Sequence, residues 1–278
     1  MTALLFAGLV FLGSFLAGLL GSLTGLGGGM VIVPLRVIGF GVNLHYAIGA
    51  SLISVIATSS GAAAAYVREG YTNIRIGMFL EIATTTGALG GAFLAGLIST
   101  GAIAMVFAAV LLYSAWLSMR PRVEHITHDM SDPLARSLRL HGTYPTPDGL
   151  QAYGVQRVAT GFGLMFVAGI LSGLLGIGSG AVKVLAMDNA MRLPFKVSTT
   201  TSNFMIGVTA AASAGVYLRR GYIDPTLSFP VMLGVLAGAL LGAKVLVHSH
   251  PRHLRLVFSV VIVLLAVEMV YRAVSGSI

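Results

Sequence analysis

Long apolar runs separated by short polar or basic breaks dominate this chain. Stretches near 3–21, 46–67, 75–98 and 102–119 in the first half, and near 157–174, 197–218, 226–247 and 254–273 in the second, are each mostly apolar. A helix needs about 20 such residues to cross a bilayer, so the pattern predicts an all-α, polytopic integral membrane protein with about eight spanning helices. Two shorter apolar pieces, near 29–42 and 180–190, each follow a cluster of glycines. They are too short to span and predict glycine-interrupted or re-entrant segments. The one long polar stretch runs from Pro121 to Gln156 and contains Pro133, Pro145 and Pro147. It divides the chain into a first transmembrane repeat over 1–120, a polar inter-repeat loop over 121–156 and a second repeat over 157–278. Within the loop, Leu134 to Leu140 has the spacing for one or two amphipathic turns at a membrane surface. The remainder reads as loop.

The two halves are copies of one another. At an offset of 151 residues and without a gap, Gly25-Leu26-Gly27-Gly28-Gly29 returns as Gly176-Ile177-Gly178-Ser179-Gly180. The same offset pairs Gly18 with Gly169, Ser51 with Ser202, Thr58 with Thr209, Tyr66 with Tyr217, Gly70 with Gly221 and Gly87 with Gly238. Glycine interruptions at corresponding positions of two apolar halves point to a transporter site at the repeat interface. Four crossings per repeat would leave the copies parallel, whereas an odd number, through a re-entrant hairpin, would invert the second. Broken helices at a repeat interface favour inversion.

Composition sharpens this picture. Hydrophobic residues make up 56% of the 278 positions and charged ones 9%, against roughly 45–50% and 25% in a soluble domain. The net charge of +8 comes largely from residues at the ends of apolar runs, such as Arg120, Arg122, Arg136, Arg139 and Arg157. That placement reads as orientation and attraction to anionic lipid, not as nucleic-acid binding. The first apolar run lacks a basic leader and has a counterpart around 154–172, so it is expected to be retained. There is no cysteine, which excludes disulfides and a protein-thiol relay. No phosphate-binding loop for ATP is present, and no cofactor is implied. Histidines 125 and 128 with Asp129, and histidines 248, 250 and 253, sit in polar loops without ligand spacing, so no metal is expected. No arrangement of nucleophile, base and acid supports catalysis.

The candidate chemistry gathers around the glycines. Consecutive glycines cost a helix about 0.8–1 kcal/mol each, so helices are expected to break at Gly25, Gly27, Gly28 and Gly29 and at Gly176, Gly178, Ser179 and Gly180. Freed N–H groups and the start of the following short helix would favour an anion. Close helix packing is the alternative reading of such spacing, and it is the reading given to the four-residue stripes Gly87/Gly91 and Gly234/Gly238/Gly242. Stripes of this type serve contacts within one chain or between two, so a homodimer is compatible. Lys183, three residues beyond Gly180, is a cation at membrane depth; it favours an anionic ligand, or snorkels, or pairs with Asp188. Arg36 has a similar place in the first repeat, nearer a helix end. Ser51 in the first repeat, and Thr200, Thr201, Ser202 and Asn203 in the second, can donate to an oxyanion without adding charge. Glu81 is an acid inside a span and a candidate carrier of a coupling proton. Glu268 and Arg272 have the i, i+4 spacing of an end pair.

At Gly25 to Pro34 and again at Gly176 to Val184, and through Ala50-Ser51, Tyr66 and Gly70 and Thr200 to Asn203, Tyr217, Arg219 and Gly221, the chain resembles the TauE/SafE family of sulfite exporter-like permeases. The resemblance covers nearly the whole chain. It implies a multi-pass transporter of the bacterial or archaeal inner membrane, carrying small sulfur-containing anions such as sulfite, sulfoacetate and related sulfonates, or organic acids. Two positions depart from the doubled pattern: Ser179 stands for the middle glycine, and Leu185 for a second Pro34. The expected function is a secondary exporter of small anions coupled to a proton gradient. An uncoupled anion channel and a carboxylate permease remain alternatives.

Overall fold

The computed structural model describes residues 3–24, 29–68, 70–119, 132–146, 149–248 and 251–276. The first half folds as α1 (Ala3–Thr24), α2 (Gly29–Phe40), α3 (Leu44–Arg68), α4 (Ile74–Leu94) and α5 (Thr100–Met119). A linker holds α6 (Pro133–Ser137) and the strands β1 (Gly142–Thr146) and β2 (Gly149–Tyr153). The second half contains α7 (Val158–Leu175), α8 (Gly180–Leu185) with a π-helical turn over Ala186–Ala190, α9 (Phe195–Arg219), α10 (Pro225–His248) and α11 (Pro251–Ser275). Each apolar run expected to cross is a helix. Among the described residues, three segments are both long and apolar enough to span a membrane: Ile74–Leu94, Thr100–Leu117 and Val158–Leu175. Gly8–Leu19, Gly29–Phe40, Leu44–Ser60 and Pro225–Leu241 are apolar but shorter. In α9, 25 residues long, the hydroxyls from Ser198 to Ser202 dilute the apolar character.

The linker departs from the expected loop. Gly142 to Thr146 pairs antiparallel with Gly149 to Tyr153, and Pro145 fits because an edge strand need not donate at every residue. Asn73 fastens this hairpin to the bundle. Its side chain caps α4 by accepting from Ile76 N at 3.1 Å, and donates to Leu140 O at 3.2 Å and the Tyr153 hydroxyl at 2.8 Å. Burial pushes the Tyr153 hydroxyl up to about 12, against the lowering effect of the Asn73 bond, so it stays protonated.

Small residues set the helix pairings. The helices α1 and α10 lie side by side, as do α4 and α7, α5 and α11, and α3 and α9. A Cβ on Gly18 would overlap the Val235 carbonyl oxygen, and one on Gly169 that of Thr84; Gly87 meets the Phe166 carbonyl and Gly238 that of Phe15. Backbones approach this closely only without side chains, and the dense contact replaces the hydrophobic driving force that lipid does not supply. The stripes Gly87/Gly91 and Gly234/Gly238 are therefore helix contacts. They also fix direction. Gly87 lies on Phe166 and Gly91 on Ile170, while Gly234 lies on Phe11 and Gly238 on Phe15, so the numbering rises together and each pair runs parallel.

Two faces of the bundle follow. On the hairpin face, α4 begins at Asn73, whose N–H reaches Thr201 Oγ1 near the start of α9. On the opposite face the ends of α2, α4, α9 and α11 meet the starts of α3 and α10. There His45 bonds Ala95 O, Arg220 donates to Ala92 O and Phe93 O, Arg36 to Leu227 O, and Arg272 to Val37 O and Ile38 O. Running parallel to α10, α1 starts at this opposite face; running parallel to α4, α7 starts at the hairpin face. The first helices of the two halves thus point in opposite directions. Glu268 and Arg272 form the expected end pair at 3.0 Å.

Candidate functional site

The second glycine cluster breaks the chain through left-handed backbone. Helix α7 ends at Leu175; Gly176 (φ 66°), Gly178 (φ 70°) and Ser179 (φ 48°) take positive φ, and α8 starts at Gly180. Glycine adopts this region freely, whereas an L-residue such as Ser179 is strained there by about 1–2 kcal/mol. The Ser179 hydroxyl is fully buried and has no partner among the described residues. Gly25, Gly27 and Gly28 of the first cluster lie outside the described residues, as do His125, His128, Asp129 and His250. Gly29, which opens α2, is described, and it touches the second break. A Cβ there would lie 3.1 Å from Ile177 Cα and 3.0 Å from Ser51 Oγ. Ser51 in turn donates to Gly176 O at 2.8 Å, and Ser202 to Gly180 O at 3.3 Å. The two segments therefore meet between α3 and α9, with Ser51 bonded to the carbonyl just past the end of α7 and Ser202 to the one that opens α8. An interrupted helix inside a membrane requires such internal partners.

A line of polar groups leaves this crossing. The fully buried Lys183 on α8 donates from Nζ to Thr209 Oγ1 on α9 at 2.5 Å. Thr209 Oγ1 stands 2.6 Å from Glu81 Oε1 on α4, and the Thr85 hydroxyl donates to the same oxygen at 2.9 Å. One hydroxyl carries one proton: Thr209 accepts from Lys183 and donates either to Glu81 or back to Met205 O at 2.9 Å. Glu81 Oε2 is buried without a partner among the described residues. The cation and the acid, singled out separately by sequence, are thus joined across three helices by a threonine. The two bonds, 2.5 and 2.6 Å, put Nζ and Oε1 at most 5.1 Å apart, where attraction at an effective dielectric of 20 is at least about 3 kcal/mol.

The other candidates divide. Thr200 returns its hydroxyl to its own helix, at Lys196 O (2.9 Å) and Val197 O (3.2 Å), and Thr201 accepts the Asn73 N–H at 3.1 Å. These two hold local structure, as hydroxyls in membrane helices commonly do. Asn203 is half-buried on α9. Sequence reasoning passed over Thr209 and Thr85. The signal for Thr209 was its repetition at Thr58; that for Thr85 was its place one helical turn beyond Glu81. Thr58 itself bonds only Ser54 O at 3.0 Å and Val55 O at 3.2 Å. At the 151-residue offset, Ile32 takes the place of Lys183 and Met232 that of Glu81, so the charged line exists once in a doubled sequence.

Comparison with known proteins is consistent along the whole chain. Residues 10–269 match the family described as sulfite exporter TauE/SafE. The chain is similar to the probable membrane transporter protein YunE of Bacillus subtilis (strain 168), 27% identical over 96% of this chain and 97% of that protein. It is also similar to the probable membrane transporter protein YdhB of the same strain, 27% identical over 85% of this chain and 89% of that protein. A third relative, the probable membrane transporter protein MJ0441 of Methanocaldococcus jannaschii, is 25% identical over 92% of each chain. No solved structure matches.

Proposed function

The chain belongs to the sulfite exporter TauE/SafE family, and from that premise we propose that it is a proton-coupled secondary exporter of small anions in a bacterial or archaeal inner membrane. Sulfite, sulfoacetate and related sulfonates are the substrate class. The eight crossings are α1, α3, α4, α5, α7, α9, α10 and α11; α2, and α8 with its π turn, are the re-entrant pieces. Five segments per half make the repeats inverted, which accords with the opposite directions of α1 and α7. The exchange of glycine contacts supports the same symmetry: Gly18 on Val235 answers Gly169 on Thr84, each residue displaced by 151. Inverted repeats give alternating access by rocking one bundle against another around a fixed site.

The observation that carries the mechanism is the Lys183–Thr209–Glu81 line beside the crossed breaks. While Glu81 is ionised, it balances Lys183 and an arriving anion meets a neutral site. When Glu81 takes a proton, its bond to Thr209 no longer balances the ammonium, and the buried cation requires another counterion. The substrate anion supplies it, with the unpartnered Ser179 hydroxyl and the freed backbone of the second break available to donate. Proton and anion occupancy are thereby linked as symport: an imposed proton gradient drives the anion the way protons run, and export follows where the outward anion gradient exceeds the opposing proton gradient. Uncoupled flux through a channel would give no role to an acid tied to the only cation at the breaks among the described residues.

The test is uptake of radiolabelled sulfite and sulfoacetate into proteoliposomes, with and without a proton gradient, for the wild type and Lys183→Met. Saturable, gradient-driven uptake lost in the variant supports the reading. Equal uptake by both proteins would remove Lys183 from the site, and no uptake of either compound would remove this substrate class.

A further inference from the structure

We infer that Arg36 and Ser228 form a second anion site, separate from the Lys183 line, at the face where α2 ends and α10 begins. Arg36 sits on the third turn of α2, with 1% of its surface exposed. Its guanidinium stays charged at neutral pH. Nη2 donates to Leu227 O at 3.0 Å, but Nε and Nη1 have no partner among the described residues. The next residue after that carbonyl, Ser228, is 4% exposed, and its hydroxyl is also buried without a partner there.

A full positive charge held by one carbonyl and the weak negative end of α2 is poorly compensated. Of the acids on this face, Glu268 pairs with Arg272 at 3.0 Å and Asp224 accepts from the Thr226 N–H and hydroxyl at 2.8 and 2.7 Å. The unused groups are all donors, three N–H bonds and a hydroxyl, so what completes them is an acceptor-only group of negative charge. A small free oxyanion, such as sulfite or sulfate, has that chemistry. A lipid phosphate does not fit, because Arg36, 1% exposed, lies inside the protein where a headgroup tethered to its acyl chains cannot follow. At the 151-residue offset Met187 replaces Arg36, so this cation, like Lys183, has no symmetric copy. Arg36 lies about 10 Å along α2 from Gly29, at 1.5 Å per residue, and α2 and α8 leave the crossing towards opposite faces. Each side of the breaks therefore carries one buried cation.

The site is read by sulfate titration of the purified full chain, following thermal stabilisation at constant ionic strength with gluconate as the balancing anion. Lys183→Met provides a background that silences the other cation. Saturable stabilisation by sulfate should persist in Lys183→Met, and adding Arg36→Gln should weaken it at least tenfold. Ser228→Ala, a milder change, should weaken it several-fold and serves if the arginine variant does not fold. Sulfate isotherms unchanged by Arg36→Gln or Ser228→Ala, or no saturation in the wild type, would overturn the inference and leave Arg36 a hydrated crosslink. Because the readout is binding, it stands apart from transport: uptake with an unaltered sulfate isotherm sinks this site alone, while sulfate binding without any uptake sinks the transport reading alone.

Discussion

Replacing Thr209 with valine keeps the side-chain shape and deletes the hydroxyl that joins Lys183 to Glu81. Two bonds are lost, 2.5 Å to the ammonium and 2.6 Å to the carboxylate. Hydrogen bonds to charged groups contribute about 1.5–3 kcal/mol each. What survives is direct attraction across the gap, about 3 kcal/mol at 5 Å and an effective dielectric of 20. The bonds and the through-space term are of similar size, so the valine should remove roughly half of the coupling. With 1.4 kcal/mol per tenfold, the stimulation of uptake by a proton gradient should fall about a hundred- to a thousandfold without vanishing. The assay is initial uptake of labelled sulfite into proteoliposomes at a series of imposed gradients, with Thr209→Ser expected to recover within a few-fold of wild type. Thr58→Val is the internal control, because Thr58 bonds only its own helix. Wild-type gradient dependence in Thr209→Val would mean that Thr209 does not couple Lys183 to Glu81, as would an equal loss in Thr58→Val.

Other expectations are direct. Glu81→Gln removes the proposed proton carrier and should leave uptake independent of the proton gradient, measured with the same vesicles across pH. Gly169→Ala drives a methyl into the Thr84 carbonyl and should destabilise the α4–α7 pair by about 1–3 kcal/mol. Gly90→Ala, with open space around it, should leave the thermal midpoint of the purified protein unchanged or slightly raised. Asp224 caps α10, accepting from Thr226 N at 2.8 Å and the Thr226 hydroxyl at 2.7 Å, and those bonds hold its carboxyl below the usual range. A depressed carboxyl contributes stability above its unfolded pKa, near 3.9, that is lost as pH falls through the folded value. Asp224→Ala should cost about 1 kcal/mol at neutral pH and flatten the melting curve's pH dependence on the acid side.

Much of the helical fold was legible because a bilayer permits few alternatives: apolar runs of spanning length become helices, and glycine clusters break them. The stripe at Gly87 and Gly91 announced a close contact, but only the structure supplies the partner, since any small-residue stripe can serve any neighbour. The hairpin between Gly142 and Tyr153 was missed because its sequence is polar and short, with Pro145 in the middle of a strand. Its stability comes from tertiary anchoring by Asn73, which local pattern does not record. Lys183 and Glu81 were individually conspicuous as charges in apolar surroundings. Their connection was not, because 102 positions separate them and the bridging Thr209 is an ordinary hydroxyl among many. Arg36 looked like a helix-end arginine free to reach solvent, and its burial against α10 depends on packing between the halves.

As proposed, the protein is a carrier that holds its anion at one site and exposes it alternately. Counterflow tests it most directly: proteoliposomes preloaded with unlabelled sulfite are diluted into labelled sulfite with no proton gradient imposed. A carrier of this kind gives a transient accumulation of label above equilibrium in the wild type and none in Lys183→Met. Label that only equilibrates, at a rate rising linearly with concentration, would contradict it and make the protein a channel.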